Sequence, residues 1–405
     1  MKVAGIVAEY NPFHTGHAYQ IAQTRETLRD DCAVIAVMSG NWVQQADCAI
    51  ADKWLRTKLA LMGGADLVLE LPTMWACSTA ESFARGAIRI LESTGVVDTL
   101  SFGSECGDVD GLKAVAACLD SPEYHAGLKH FLDEGMTFAA ARQNVVQTLL
   151  GEELSNLLST PNNNLGIEYI RSLNALGSSI QPMTVLRKGA PHNSLGVLGA
   201  GPDAVHFVSA TAIRDNLMKG KWDWCESYLI PGGRAVLEGN LIGLPALGRV
   251  ERAMLSRLRT MTAEDWAKLP DSGQAEGLPH RLELAGRKCT SMDEFFALVK
   301  TKRYTRARLE RLVLWAYLGL TSADRPESPP YLRVLGFNER GREVLKEMKR
   351  AACLPTLTKP AQARELDEAG LRVFELEARC TDLYDLCFAS IPTPGREWTT
   401  SPIIL

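Results

Sequence analysis

Residues 9–17 read Glu-Tyr-Asn-Pro-Phe-His-Thr-Gly-His and place two histidines, His14 and His17, on either side of a glycine. The seven residues before them, KVAGIVA at 2–8, are a short apolar run of the kind that forms a buried parallel strand. A helix is expected from about Gly16 to Arg29. A strand end, a glycine turn and a helix start form a phosphate site: glycine admits close backbone approach, and the helix N-terminus offers free N–H groups and a positive dipole end. Both imidazoles can donate to phosphate oxygens, and near neutral pH histidine can add positive charge as negative charge builds in a transition state. A metal site would need a third and a fourth ligand, and the neighbouring sequence supplies neither.

Other polar clusters fall at the ends of further apolar runs. The run 33–38 (AVIAVM) ends in Ser39-Gly40-Asn41, and GGADLVLELP ends at Pro72. The segment 98–102 (DTLSF) opens into Gly103-Ser104-Glu105, and 180–187 (IQPMTVLR) ends at Arg187-Lys188. Helices are expected at 51–62 and 78–91, through most of 108–176, and at 209–219. Ser209 is the N-cap of the last of these. Strands alternating with helices define an α/β domain with a parallel sheet, whose ligands sit beyond the carboxyl ends of the strands. Thr160 to Asn164 reads as a turn, with Asn162, Asn163 and Asn164 as a cluster of amides.

The loop Ile230-Pro231-Gly232-Gly233 is the expected domain boundary. The segments 247–260, 262–268, 279–287, 291–300, 303–319, 338–351 and 360–387 read as helices, with little convincing strand after the boundary. The expected organisation is therefore a nucleotide-binding domain over 1–230 and a helical domain over 231–405. The net charge of −4 hides an asymmetry: residues 231–405 hold 27 Lys and Arg against 23 Asp and Glu, leaving the first 230 residues 17 against 25. The block KTKRYTRARLER at 300–311 has six basic side chains in twelve positions, either a solvated helix face or an attractor of nucleic-acid phosphate. No run of 18 apolar residues is present to span a membrane, no signal peptide is read at the start, and none of the ten cysteines forms a CxxC pair. These features point to a cytoplasmic protein with buried free thiols.

The HxGH loop resembles the signature of the nucleotidyltransferase superfamily, whose members attack the α-phosphorus of ATP and release pyrophosphate. A longer series of blocks, GIVAEYNPFHTGH, MSGNWVQ, DKWLRTKLAL, GADLVLELP, SFGSE, PNNNLGIEY and SATAIR, resembles the bacterial tRNA(Met) cytidine acetate ligase family, as does YLRVLGFNERGREVL at 331–345. The resemblance implies a Rossmann-like parallel sheet followed by a mainly helical C-terminal domain that holds tRNA. It also implies a two-step reaction: ATP and acetate give acetyl-adenylate and pyrophosphate, and the acetyl group passes to the exocyclic amine of the wobble cytidine of elongator methionine tRNA. Mg²⁺ would accompany the ATP.

By this resemblance His14, His17 and Arg214 are the catalytic residues: His14 and His17 stabilise the transferring adenylyl group, and Arg214, with Ser209, holds phosphate. The nucleotide lies along Val7, Ala8, Glu9, Tyr10, Asn11, Pro12, Phe13, Thr15, Gly16, Ala18, Tyr19 and Gln20, and against Gly103, Asn162, Arg187, Lys188, Ser209 and Thr211. Lys53 and Arg56, near the start of the DKWLRTKLAL helix, would face the active site or tRNA, while Asp52 is a helix-start charge. Two loops depart from the family pattern: Gln44-Gln45-Ala46-Asp47-Cys48-Ala49 where QRGEPA is usual, and Gly189-Ala190-Pro191-His192-Asn193-Ser194 where a histidine-rich loop is usual. Two other readings fit the residues, a small-molecule adenylyl- or cytidylyltransferase that never touches RNA and a catalytically silent RNA-binding or assembly protein. Acetylation of a specific tRNA separates the ligase from the first, and ATP–pyrophosphate exchange separates it from the second.

Overall fold

The computed structural model describes residues 1–405 except 30, 188–206, 240–241 and 302. Lys188 and the loop 189–194 therefore lie outside the described residues. Seven strands of the main sheet run in the order β10 (Ile403–Ile404), β8 (Leu332–Phe337), β5 (Leu67–Leu71), β2 (Cys32–Ser39), β1 (Lys2–Ala8), β6 (Thr99–Ser104) and β7 (Gln181–Leu186), and the short β9 (Thr356–Leu357) pairs with β8. A separate hairpin joins β3 (Trp42–Val43) to β4 (Asp47–Cys48). All eight residues of β2 are buried, because helices cover both faces of the sheet. The two-residue period then divides its side chains: Ala33, Ile35 and Val37 enter one core, and Val34, Ala36 and Met38 the other.

From β1 the chain moves outward through β2 to β5, then returns to the far side of β1 as β6, with β7 beyond it. These five strands are parallel to one another. The order reverses between β1 and β6, and at such a switch point the loops leave in opposite directions and open a crevice. Helix α1 (Thr15–Leu28) begins at the β1 side of that crevice, and α2 (Lys53–Met62) follows the β3–β4 hairpin.

Three expectations need correction. The sheet does not end with residue 230: β8 runs antiparallel beside β5, and β10 lies parallel beside β8. The strand at 332–337 was hard to read because Arg333 interrupts its apolar run, yet that side chain is 1% exposed and serves the interior. The three asparagines do not form a turn. Pro161 opens a helix, Pro161–Leu176, and places them in its first turn, where proline's missing N–H costs nothing. The helix expected at 78–91 is α4 (Ala80–Ser93), preceded by a short α3 (Thr73–Ala76), whereas 360–387 breaks at Asp367, which caps the helix Glu368–Asp385. The remainder of 231–405 is mainly helical. Among the described residues no helix is long and apolar enough to cross a membrane.

Candidate functional site

A cleft of about 250 Å³ lies at the carboxyl ends of β1, β6 and β7, at the point where the strand order reverses. Sixteen of the expected residues line it: Val7, Ala8, Glu9, Tyr10, Asn11, His14, Gly16, His17, Tyr19, Gln20, Gly103, Asn162, Arg187, Ser209, Thr211 and Arg214. Pro12, Phe13, Thr15 and Ala18 do not. They shape the loop instead. Phe13 is fully buried and packs over Gly63, where an added Cβ would lie 2.1 Å from its ring. The Thr15 N–H donates to the Tyr228 carbonyl at 2.9 Å, and Ala18 packs against the core beneath α1.

The two histidines cap α1 reciprocally. His14 Nδ1 accepts from the Gly16 N–H at 3.0 Å, and His17 Nδ1 accepts from the His14 N–H at 3.3 Å. With each Nδ1 acting as acceptor, the proton of each neutral ring resides on Nε2, so both rings keep a donor for an incoming anion. The rings lie 3.9 Å apart between centroids, and Tyr10 packs edge-on to His17 at 4.9 Å.

Burial, with the nearby Arg187 and Arg214 guanidiniums, lowers the His14 pKa to about 3. Burial, His14 and Arg187 likewise hold His17 well below the ordinary range. In the free protein at neutral pH both rings are thus neutral donors. Bound polyphosphate would raise both values. A stability effect follows from the sign. Between pH 6.5 and about 3 the unfolded chain takes up a proton at residue 14 that the native state resists, so stability is full above pH 6.5 and falls as pH drops. Urea midpoints measured from pH 7 to pH 4 should fall less steeply in His14→Gln than in wild type.

Across the cleft stands the helix Ala210–Met218. Ser209 caps it, its hydroxyl accepting from the Ala212 N–H at 3.2 Å, so the simple cap and the cleft wall are the same residue. Arg214 donates to the Asn11 carbonyl at 2.8 Å and to the Thr211 hydroxyl at 3.1 Å, which fixes its guanidinium beside the HxGH loop. On the β6–β7 side, Arg187 donates to the Asn162 side-chain oxygen at 3.1 Å, and the Asn162 amide donates to Glu105 Oε1 at 2.5 Å. Asn163 is turned inward and accepts from the Glu105 and Cys106 N–H groups, holding the turn after β6.

Lys53 and Arg56 do not line the cleft. Both are fully buried. Lys53 lies 2.5 Å from both Glu70 and Glu397, and Arg333 approaches Glu397 at 3.7 Å. Arg56 donates to the carbonyls of Ala51 at 2.9 Å, Glu9 at 2.5 Å and Ser39 at 3.1 Å, and also to that of Gly40. It thereby ties the loops after β1 and β2 to the start of α2. Asp52 is the α2 N-cap, accepting from the Leu55 N–H at 2.8 Å, as expected of a helix-start charge, and it also pairs with Arg396. Sequence reasoning did not find Phe83, Phe102, Leu165, Tyr169 and Phe207 in the cleft wall. They are apolar or aromatic positions inside or next to regular elements, where local spacing is indistinguishable from core. Gln44 and Gln45 also line the cleft, and they belong to the loop that departs from the family pattern.

Parallel strands with a switch point, a histidine-capped helix and a second helix N-terminus lining the same cleft are the features of a nucleotidyltransferase. The family profile described as HIGH Nucleotidyl Transferase matches residues 1–396. A protein of Thermoanaerobacter sp. (strain X514) named tRNA(Met) cytidine acetate ligase is 37% identical, over 98% of each chain. One of the same name from Acetivibrio thermocellus is 35% identical over the whole of both chains. The crystal structure of Thermotoga maritima TmcAL bound with alpha-thio ATP superposes over the full length of both chains with a TM-score of 0.90 at 33% identity, and its apo form with 0.91. The chain belongs to the HIGH nucleotidyl transferase family and, within it, to the tRNA(Met) cytidine acetate ligases.

Proposed function

We propose that this chain joins ATP and acetate into acetyl-adenylate in the cleft at the β1–β6 switch point, and transfers the acetyl group to the exocyclic amine of the wobble cytidine of elongator methionine tRNA. The observation that carries the reading is the convergence of two neutral Nε2–H donors, His14 and His17, with the Arg214 and Arg187 guanidiniums on one cleft. In the first step an acetate oxygen attacks the α-phosphorus and pyrophosphate leaves. The imidazole donors stabilise charge on the α-phosphoryl oxygens, while Arg214, with Ser209 and Thr211 at their helix start, holds the departing phosphates. In the second step the cytidine amine attacks the acetyl carbonyl, AMP leaves, and the amine loses a proton.

Tyr10, Asn11, Gly103 and Asn162 would bound the nucleotide, and the aromatic wall of Phe83, Phe102 and Tyr169 would enclose the acyl end and exclude water. Among the described residues no group of three or more His, Cys, Asp or Glu side chains is arranged to hold a metal. Mg²⁺ would enter with the ATP and supply positive charge to its phosphates, and no step is assigned to it. The test is pyrophosphate release from ATP with acetate, with and without unmodified elongator methionine tRNA, followed by nucleoside analysis of the tRNA. Acetate-dependent release with the acetyl group on cytidine is expected. Release without transfer to tRNA would favour a small-molecule nucleotidyltransferase.

A further inference from the structure

The basic block at 300–311 is less uniform than its composition suggests. Arg306 pairs with Glu310 at 2.7 Å, and Arg308 with Glu276 at 3.2 Å. These are helix-surface ion pairs of small energetic weight. Arg311, the last residue of the block, differs. Its Nε is buried with no hydrogen-bond partner among the described residues, and Cys77, at the end of α3, lies near it. The acidic groups facing it are Asp271 and Glu310, the second already engaged by Arg306.

Two more arginines gather at the same place. Among the described residues Arg325 donates to neutral acceptors only, the Ser78 hydroxyl at 2.8 Å and the Met74 carbonyl at 3.5 Å, and it lies over the Trp315 ring at 5.7 Å. Arg85, on α4, is exposed and makes no hydrogen bond or ion pair among the described residues. Burial first, and then the charge of Arg85, lower the Arg325 pKa, against the pull of Asp271. Asp271 is the carboxylate that faces both Arg311 and Arg325, with no ion pair to either among the described residues. Three guanidiniums against one acid leave an excess of like charge that is costly to the protein alone, and favourable once a polyanion bridges them.

The cluster adjoins the cleft. The Trp315 indole donates to the Cys77 carbonyl at 2.8 Å, and the Cys77 thiol contacts the Val43 carbonyl at 3.5 Å. Val43 precedes Gln44, which lines the cleft, and α4 supplies both Arg85 and the cleft residue Phe83. We infer that Arg85, Arg311 and Arg325 form a phosphate-binding track, at the seam between α4 and the helix Arg306–Leu318, that seats the backbone of the acceptor RNA beside the cleft. The inference rests on the proposed function for its partner. RNA backbone fits because one bidentate guanidinium serves one phosphate, and the track spans two parts of the chain rather than a single small-anion cup.

The test uses the full chain and an unmodified elongator methionine tRNA transcript, with binding measured between 50 and 200 mM salt for wild type, Arg85→Glu and Arg311→Gln. Each variant should bind about tenfold more weakly, and the slope of log affinity on log salt should shrink by about one per arginine. Acetate-dependent ATP–pyrophosphate exchange without tRNA should be unchanged, since none of the three arginines lines the cleft. Variants that bind the transcript with wild-type affinity and slope would overturn the inference. So would a wild-type chain that does not bind the transcript at all, in which case exchange alone judges the adenylation step.

Discussion

His17→Ala should lower the rate of acetate-dependent pyrophosphate release by about 10²–10³, the usual cost of removing one preorganised donor from a developing oxyanion. The fold should survive. The His17 side chain also accepts from the His14 N–H at the start of α1, and loss of a capping contact typically costs about 1 kcal/mol. Steady-state kinetics can separate the two effects. A donor that acts in the transition state depresses kcat far more than it raises the KM for ATP, whereas a merely loosened loop moves both. Equal and modest changes in both constants would count against a role for His17 in the chemical step.

Lys53→Met should destabilise the protein by about 3–5 kcal/mol, read from urea unfolding, because it leaves buried carboxylates without their cation. Lys53 and Arg333 are two cations among three buried carboxylates, Glu70, Glu377 and Glu397. Thr73 donates to Glu377 through its backbone and its hydroxyl, and Thr381 donates to Glu397. One carboxyl must keep a proton. Burial and the neighbouring glutamates raise Glu70 to about pKa 8 against the pull of Lys53. A raised carboxyl pKa gives stability that is complete below the unfolded value and is lost as pH rises through 8. Glu70→Gln, which keeps an acceptor for Lys53 and removes the surplus charge, should therefore match or exceed wild-type stability at pH 8.5. A Glu70→Gln protein as unstable as Lys53→Met would contradict this charge assignment.

The site was legible where chemistry and local backbone coincide. His14 and Ser209 are helix caps as well as cleft residues, so residue type and spacing both announced them. Lys53 and Arg56 were misplaced because a cation in the first turn of a helix looks the same in sequence whether it meets a ligand or buried carboxylates and carbonyls. Only the fold brings Glu377, Glu397 and the Ser39 carbonyl to them. The strand at 332–337 was missed for a related reason. Its pairing partner is β5, more than 260 residues earlier, and no local pattern encodes so distant a neighbour. The aromatic wall was invisible because Phe83, Phe102 and Tyr169 look like ordinary core until the switch point opens beside them.

The late strands β8 and β10, with Glu397 beside them, bear on how the chain is made. A nascent chain that has emerged only as far as residue 230 can pair β1, β2, β5, β6 and β7, but the outer edge of β5 is uncovered and Lys53 has one carboxylate instead of two. At about 5–20 residues per second, residue 397 follows residue 230 after about ten to thirty seconds. Throughout that interval the half carrying the nucleotide loop has an open strand edge, the kind of surface to which chaperones and unwanted strand partners attach. The catalytic half is the first to be synthesised and among the last to be finished.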